Sequence, residues 1–147
     1  MATRREVIRT AKAAAPRVPI SQAVRAGETI YCSGAVPVDP ATGTVVQGDI
    51  TVQTRRVLEN LKAILEAAGS SLERVLKVTV FLVDRADFPG MNAVFREYFP
   101  KDPPARSTIQ AGLMLDARVE IELIALAAGR RPAARAPRPK PARRSRN

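Results

Sequence analysis

The segment "RVEIELIALAA", Arg118 to Ala128, decides the fold. In an extended chain its alternation puts Val119, Ile121, Leu123 and Ala125 on one side and Glu120, Glu122, Ile124 and Leu126 on the other. The first side is pure hydrocarbon and belongs in a core. The second mixes two carboxylates with two large apolar residues, which suits neither a core nor a freely hydrated surface. "LKVTVFLV", Leu76 to Val83, reads the same way, with Val78, Val80 and Leu82 opposite Thr79, Phe81 and Val83. A sheet built on these two strands has one face to bury and a second face too apolar to leave wet.

Two helices are available to cover the first face. From Ile50 to Ala68, Val57, Leu58, Leu61, Ile64, Leu65 and Ala68 form a one-sided stripe at helical spacing. Asp49 or Thr51 can cap its free amides, and Gly69 supplies the left-handed stop. The second helix starts near Asp87, a good N-cap, carries Phe88, Met91, Phe95 and Tyr98 on one face, and stops at Pro100. Tyr98 and Phe95 read as helix-to-sheet packing. Upstream, "REVIRT" (Arg5 to Thr10) is β-like, and "SQAVRAGETIYCSGAVPVD" holds two strands about a turn at Gly27. "STIQA" after Arg106 is a further strand. The order predicts an α+β fold: a six-stranded mixed sheet with two helices packed on one face, and a homo-oligomer formed through the other.

Composition narrows the chemistry. The chain of 147 residues has no histidine and one cysteine, Cys32. That excludes a Ser-His-Asp triad, a Cys-His pair, a histidine-ligated zinc and an intrachain disulfide. Cys32, in an apolar strand, reads as a small core residue. The "GSS" at Gly69 is a helix stop, without the spacing or lysine of a phosphate loop. No apolar run is long enough for a membrane helix, and "MATRREVIRTAK" lacks a signal peptide's apolar stretch, so a cytoplasmic protein is expected.

The net charge of +10 is uneven. From Gly129 the chain reads "GRRPAARAPRPKPARRSRN", with eight basic residues, four prolines and no acid, leaving 16 basic against 14 acidic residues before it. The domain is therefore expected over residues 1–128, with 129–147 a disordered basic tail. A solubilising tail is the plainer reading; nonspecific contact with nucleic acid through phosphate neutralisation is the sharper one.

One cation stands out. "PPARSTIQAG", Pro103 to Gly112, puts Arg106 at the mouth of a strand, and alternation groups it with Thr108 and Gln110. This polar set is expected on the interface face with Glu120 and Glu122. A guanidinium there needs an anion, either a protein carboxylate in a structural salt bridge or a small acidic ligand. Residue chemistry by itself favours the salt bridge. Glu122 is open to the same two readings, a second site acid or a partner for an arginine.

"PPARSTIQAGLMLDARVEIELIALA" resembles the C-terminal signature of the RidA (YjgF) family, some of whose members carry the label endoribonuclease L-PSP. "ISQAVRAGETIYCSGAVPVDPATG", "NLKAILEAAGSSLERVLKVTVFLVD" and "DFPGMNAVFREYFP" fall in the family's order, so the resemblance spans about Glu6 to Ala127. It implies the chorismate mutase-like RidA fold, a homotrimeric barrel with ligand pockets between subunits, no cofactor, no metal, and hydrolysis of 2-imino acids to 2-oxo acids and ammonia. On that resemblance Arg106 grips the substrate carboxylate and Glu120 positions or deprotonates water. Ser33 and Gly34 form a pocket wall, and Asn92 lies near the subunit boundary. Two positions depart from the pattern. Ile20, in "PISQA", stands where many imine-hydrolysing members have tyrosine, and Thr108 stands where cysteine or a small polar residue is common. Two other functions remain open: trimeric binding of small carboxylates without turnover, and RNA cleavage.

Overall fold

A computed structural model of the chain describes residues 3–129. The elements are β1 (Arg5–Ile8), β2 (Ala23–Ala26), β3 (Thr29–Ala35), α1 (Ile50–Ala67), β4 (Val75–Leu82), α2 (Phe88–Tyr98), β5 (Ala105–Gln110) and β6 (Val119–Leu126). The strands form one sheet in the spatial order β1-β2-β3-β6-β4-β5. β5 runs parallel to β4, connected to it through α2, and every other neighbouring pair is antiparallel. β6, the strand with the most clear-cut alternation, thus lies inside the sheet between β3 and β4.

Both helices pack on one face, as the two apolar stripes require. Val57, Leu58, Leu61, Ile64 and Leu65 of α1 join Met91, Val94 and Phe95 of α2 in one core with Ile30, Val78, Val80, Val119, Ile121 and Leu123. Asp49 caps α1, accepting from the amides of Thr51 (3.0 Å) and Val52 (3.1 Å). These bonds, that from the Thr51 hydroxyl first among them, hold its pKa below the ordinary carboxylate value. The helix ends before Gly69, whose φ of 73° is the left-handed conformation glycine allows without strain. The other face of the sheet carries Tyr31, Phe81, Ile109, Ile124 and Leu126, of which Tyr31, Ile109 and Leu126 are exposed.

Three expectations change. β1 stops at Ile8 rather than Thr10, because the Thr10 amide donates to the side-chain oxygen of buried Gln22 (2.8 Å) instead of to a strand. Asp87 occupies the N-cap position of α2, yet its side chain caps nothing. Its carboxylate accepts from Nε (3.0 Å) and Nη2 (2.8 Å) of Arg118, tying the start of α2 to the start of β6. Tyr98 packs between helices rather than on the sheet alone, donating to Glu59 of α1 at 2.5 Å. Burial first, then that bond, raises its pKa to about 12. The predicted basic tail, from residue 130 onward, lies outside the described residues. Among those described, no helix is long and apolar enough to cross a membrane.

Candidate active site

Arg106 sits on the edge strand. In the parallel register it pairs with Val78, Thr108 with Val80, and Gln110 with Leu82. Paired residues point to the same side of a sheet, and Val78, Val80 and Leu82 are buried beneath the helices. Glu120 instead pairs with Phe81, itself paired with Ile109, and Glu122 with Thr79, itself paired with Ser107. Arg106, Thr108 and Gln110 therefore lie on the helix face, and Glu120 and Glu122 on the open face. The expected shared face is overturned. Alternation within β5 sorts its residues into two sets, but only the register with β4 says which set faces α2.

Helix α2 supplies the surroundings of that cation. Arg106 Nη2 donates to Asn92 Oδ1 at 2.7 Å, and Nη1 lies 3.8 Å from the sulfur of Met91. The guanidinium carbon is 4.6 Å from the ring centre of Phe95 and 5.9 Å from that of Phe88, within cation–π range. Phe95 thus serves both core and cation. Partial burial, and then the charge of Arg96, lower the Arg106 pKa, although an arginine remains a cation at any working pH. Among the described residues the salt bridges are Arg55–Glu97 and Arg118–Asp87, so neither Arg106 nor Glu122 has a carboxylate–cation partner. The structural salt bridge favoured by residue chemistry is not found. Two strand positions on, the Thr108 hydroxyl is buried without a hydrogen-bond partner. It lines a cleft of about 650 Å³ with Phe88, Ile109 and Gln110.

The second cluster is made by an irregularity. β3 pairs Cys32 with Leu123 and Ala35 with Ile121, so Ser33 and Gly34 together oppose Glu122. This β-bulge re-aims the strand. The Ser33 amide donates to the Gln22 carbonyl (3.0 Å) and its hydroxyl to the Ser21 carbonyl (2.6 Å). Gly34 is packed so closely by the Glu120 carboxylate that a Cβ there would strike Oε1. Glu120 is half-buried, and that burial, with Glu122 nearby, raises its pKa. Ile20, Ser33, Gly34 and Glu120 line one cavity of about 400 Å³, together with Val36, Asn60, Ile64, Met114 and Leu115. The last five carry no motif; Val36, Met114 and Leu115 reach the cavity from loops, and Asn60 and Ile64 from the buried side of α1.

The seven residues singled out from sequence thus form two groups: Arg106, Asn92 and Thr108 beside α2, and Ile20, Ser33, Gly34 and Glu120 at the bulge. One chain does not bring them together. Cys32 belongs to neither; it is buried, and desolvation pushes its thiol to about 12. Among the described residues no three His, Cys, Asp or Glu side chains gather to hold a metal ion.

The fold defines a small α+β protein whose polar chemistry is concentrated at an edge strand and a bulge. Residues 10–127 match the model of the family described as Endoribonuclease L-PSP, and the chain belongs to that family, the RidA family. It is 52% identical over 122 residues to a RutC family protein of Pyrococcus horikoshii, covering 82% of this chain and 97% of that one. It is 45% identical over 123 residues to the 2-iminobutanoate/2-iminopropanoate deaminase of Mus musculus, covering 83% and 91%. Among solved structures, E. coli TdcF with bound serine is similar at a TM-score of 0.80 and 38% identity, covering 84% of this chain and 99% of that one.

Proposed function

We propose that this chain hydrolyses reactive 2-imino acids, and the enamines that tautomerise to them, to 2-oxo acids and ammonia. The substrate carboxylate docks on Arg106 between protomers of a homotrimer. The observation that carries this reading is a half-buried guanidinium, oriented by Asn92 and two aromatic rings, with no carboxylate of its own among the described residues. Such a group is costly to bury without an anion and is shaped for a bidentate carboxylate. The bound amino acid named for TdcF and the deaminase name of the mouse relative agree with it.

The reaction needs little activation. The imine carbon is electrophilic, more so once its nitrogen is protonated, so orientation and delivery of water supply most of the effect. Glu120 takes a proton from water as the water oxygen bonds to C2 and the C=N electron pair moves onto the nitrogen. Glu120 passes that proton to the amino group; the C–N bond then breaks and ammonia leaves as the adduct's hydroxyl gives its proton to Glu120 and becomes the carbonyl of the 2-oxo acid. Arg106 and Glu120 lie on opposite faces of one sheet, so a site using both draws Arg106, Thr108 and Asn92 from one protomer and Ile20, Ser33, Gly34 and Glu120 from its neighbour. The exposed Tyr31, Ile109 and Leu126 supply apolar surface for that contact.

The test couples an amino-acid oxidase, which generates the imine, to semicarbazide trapping of what survives. Wild-type protein shortens the imine lifetime and Arg106→Ala does not; equal lifetimes with both proteins reject the enzyme. A second reading, carboxylate binding without turnover, is favoured by Ile20, whose hydrocarbon offers no hydrogen bond to a substrate. RNA cleavage has less support, since no general base for a ribose hydroxyl is evident in a chain without histidine.

A further inference from the structure

Two opposite charges on the open face of the sheet turn away from each other. Glu122 of β6 pairs across the backbone with Thr79 of β4, and Thr79 with Ser107 of β5, so the three stand in one row running out to the sheet edge. Lys77, two residues before Thr79, shares that face and pairs with Ile124. Its strand lies between the one that carries the acid and the one that carries the hydroxyl. The side chain takes the hydroxyl: Lys77 Nζ donates to Ser107 Oγ at 2.8 Å. The ammonium is thus directed at the free edge, not at the carboxylate of its own chain. Among the described residues neither Lys77 nor Glu122 belongs to a salt bridge. The same face carries the exposed Tyr31, Ile109 and Leu126. A charge closed into such an apolar contact is strongly unfavourable unless an opposite charge meets it.

We infer that Lys77 of one protomer pairs with Glu122 of its neighbour, and that this ion pair sets the register in which Arg106 of the first faces Glu120 of the second. The inference rests on the shared-site reading for the meeting of Arg106 with Glu120. Edge strand β5 has a cation on each side. The Arg106 guanidinium lies on the helix face, and the Lys77 ammonium, resting on Ser107, lies on the open face. The acids of β6 are also two. Glu120 and Glu122 point the same way, about 7 Å apart along the strand. When the β5 edge of one copy lies against β6 of another, with Arg106 over a substrate held at Glu120, Lys77 falls one step along the same line, where Glu122 stands. Two cations against two acids fix direction as well as position. A slip by one pair would put Arg106 on Glu122 and leave Glu120 and Lys77 bare. Glu122 is therefore a positioning residue, acting through the placement of Glu120, and not a second acid of the reaction.

Charge reversal in mixtures tests the pair. Lys77→Glu has acids at both positions and Glu122→Lys has cations at both, so each repels itself across the contact while the two suit one another. Full-length chains of the two variants are unfolded, refolded together and weighed by native mass spectrometry. Assemblies containing both variants should exceed their share under random mixing, and each variant alone should assemble more weakly than wild type. Random composition would mean that the two charges do not meet between copies, and rejects the pair. If a reversed variant does not fold, Lys77→Gln and Glu122→Gln decide by dilution. Each should weaken association by roughly 30-fold, and the two together no more than either. Additive losses reject the pair. Imine trapping then reports on positioning. At concentrations where assembly is complete, Lys77→Gln should lower kcat with KM nearly unchanged; an unaltered kcat removes the positioning role. Imine hydrolysis by wild-type protein with random mixtures keeps the deaminase and loses the pair. Preferential mixing without hydrolysis keeps the pair and loses the deaminase, and a monomeric wild-type protein loses both.

Discussion

Gly34 and the Glu120 carboxylate share a space that admits only one of them: a Cβ on residue 34 would collide with Oε1 of residue 120. The atoms struck belong to the free end of a flexible side chain, not to backbone. Gly34→Ala should therefore fold with nearly wild-type thermal stability while displacing the acid. We expect kcat/KM for imine hydrolysis to fall by about 10²-fold, the usual effect of a misplacement near 1 Å. Unchanged activity would mean that Glu120 works from some other rotamer.

Arg106→Lys keeps the charge and loses the fork. A hydrogen bond to a charged group is worth about 1.5–3 kcal/mol, so kcat/KM should drop roughly 10- to 100-fold. Near-wild-type activity in the lysine variant would argue against two-pronged carboxylate binding.

Because Arg106 and Glu120 occupy opposite faces of one sheet, two inactive variants should rescue each other. Arg106→Ala and Glu120→Gln, each silent alone, should regain imine hydrolysis when unfolded together and refolded as a mixture. No recovery, with mixed assemblies verified by native mass spectrometry, would place both groups in a single protomer's site.

Glu120 also sets a pH dependence. Burial raises its pKa above the ordinary 4.5, so the folded chain holds a proton that the unfolded chain has released across the interval between 4.5 and the raised value. Stability from this group is thus lost as pH rises through that interval. Glu120→Gln should raise Tm at neutral pH and lose the advantage below 4.5, by thermal melts at both pH values. For the wild-type enzyme, kcat/KM should fall as pH drops through that raised value, since only the ionised Glu120 can take the water proton.

Asp87→Ala removes the carboxylate that holds Arg118. A fully buried pair broken on one side costs roughly 3–5 kcal/mol. Arg118 is half-exposed and regains water, so about 2 kcal/mol is expected from denaturant titration. A loss below a few tenths of a kcal/mol would show that the tie from α2 to β6 does not support the fold.

Much of this architecture is legible in the chain because burial alternates strongly where strands are central. β6 shows it from Val119 to Leu126, and α1 shows its stripe with both a cap at Asp49 and a stop at Gly69. β5 is different. It is an edge strand whose exposed positions follow no apolar rule, so only hydrogen-bonding register tells which side Arg106 takes. The partners of Asp87 and Asn92 are hidden for a related reason: each is separated by many residues from the arginine it meets, and either could have served its own helix. Met114 and Leu115 carry no chemistry to announce them; only the loop between β5 and β6 brings them to the cavity beside Glu120.

The extra residue in β3 has a practical corollary for anyone building variant libraries here. Before it, the even-numbered Ile30 and Cys32 face inward; after it, odd-numbered Ala35 does. A randomisation scheme that carries one parity rule through the whole strand would spend its diversity on the core at one end and on the cleft at the other. Schemes for Thr29–Cys32 and for Ala35 onward should be written separately, with Ser33 and Gly34 held fixed.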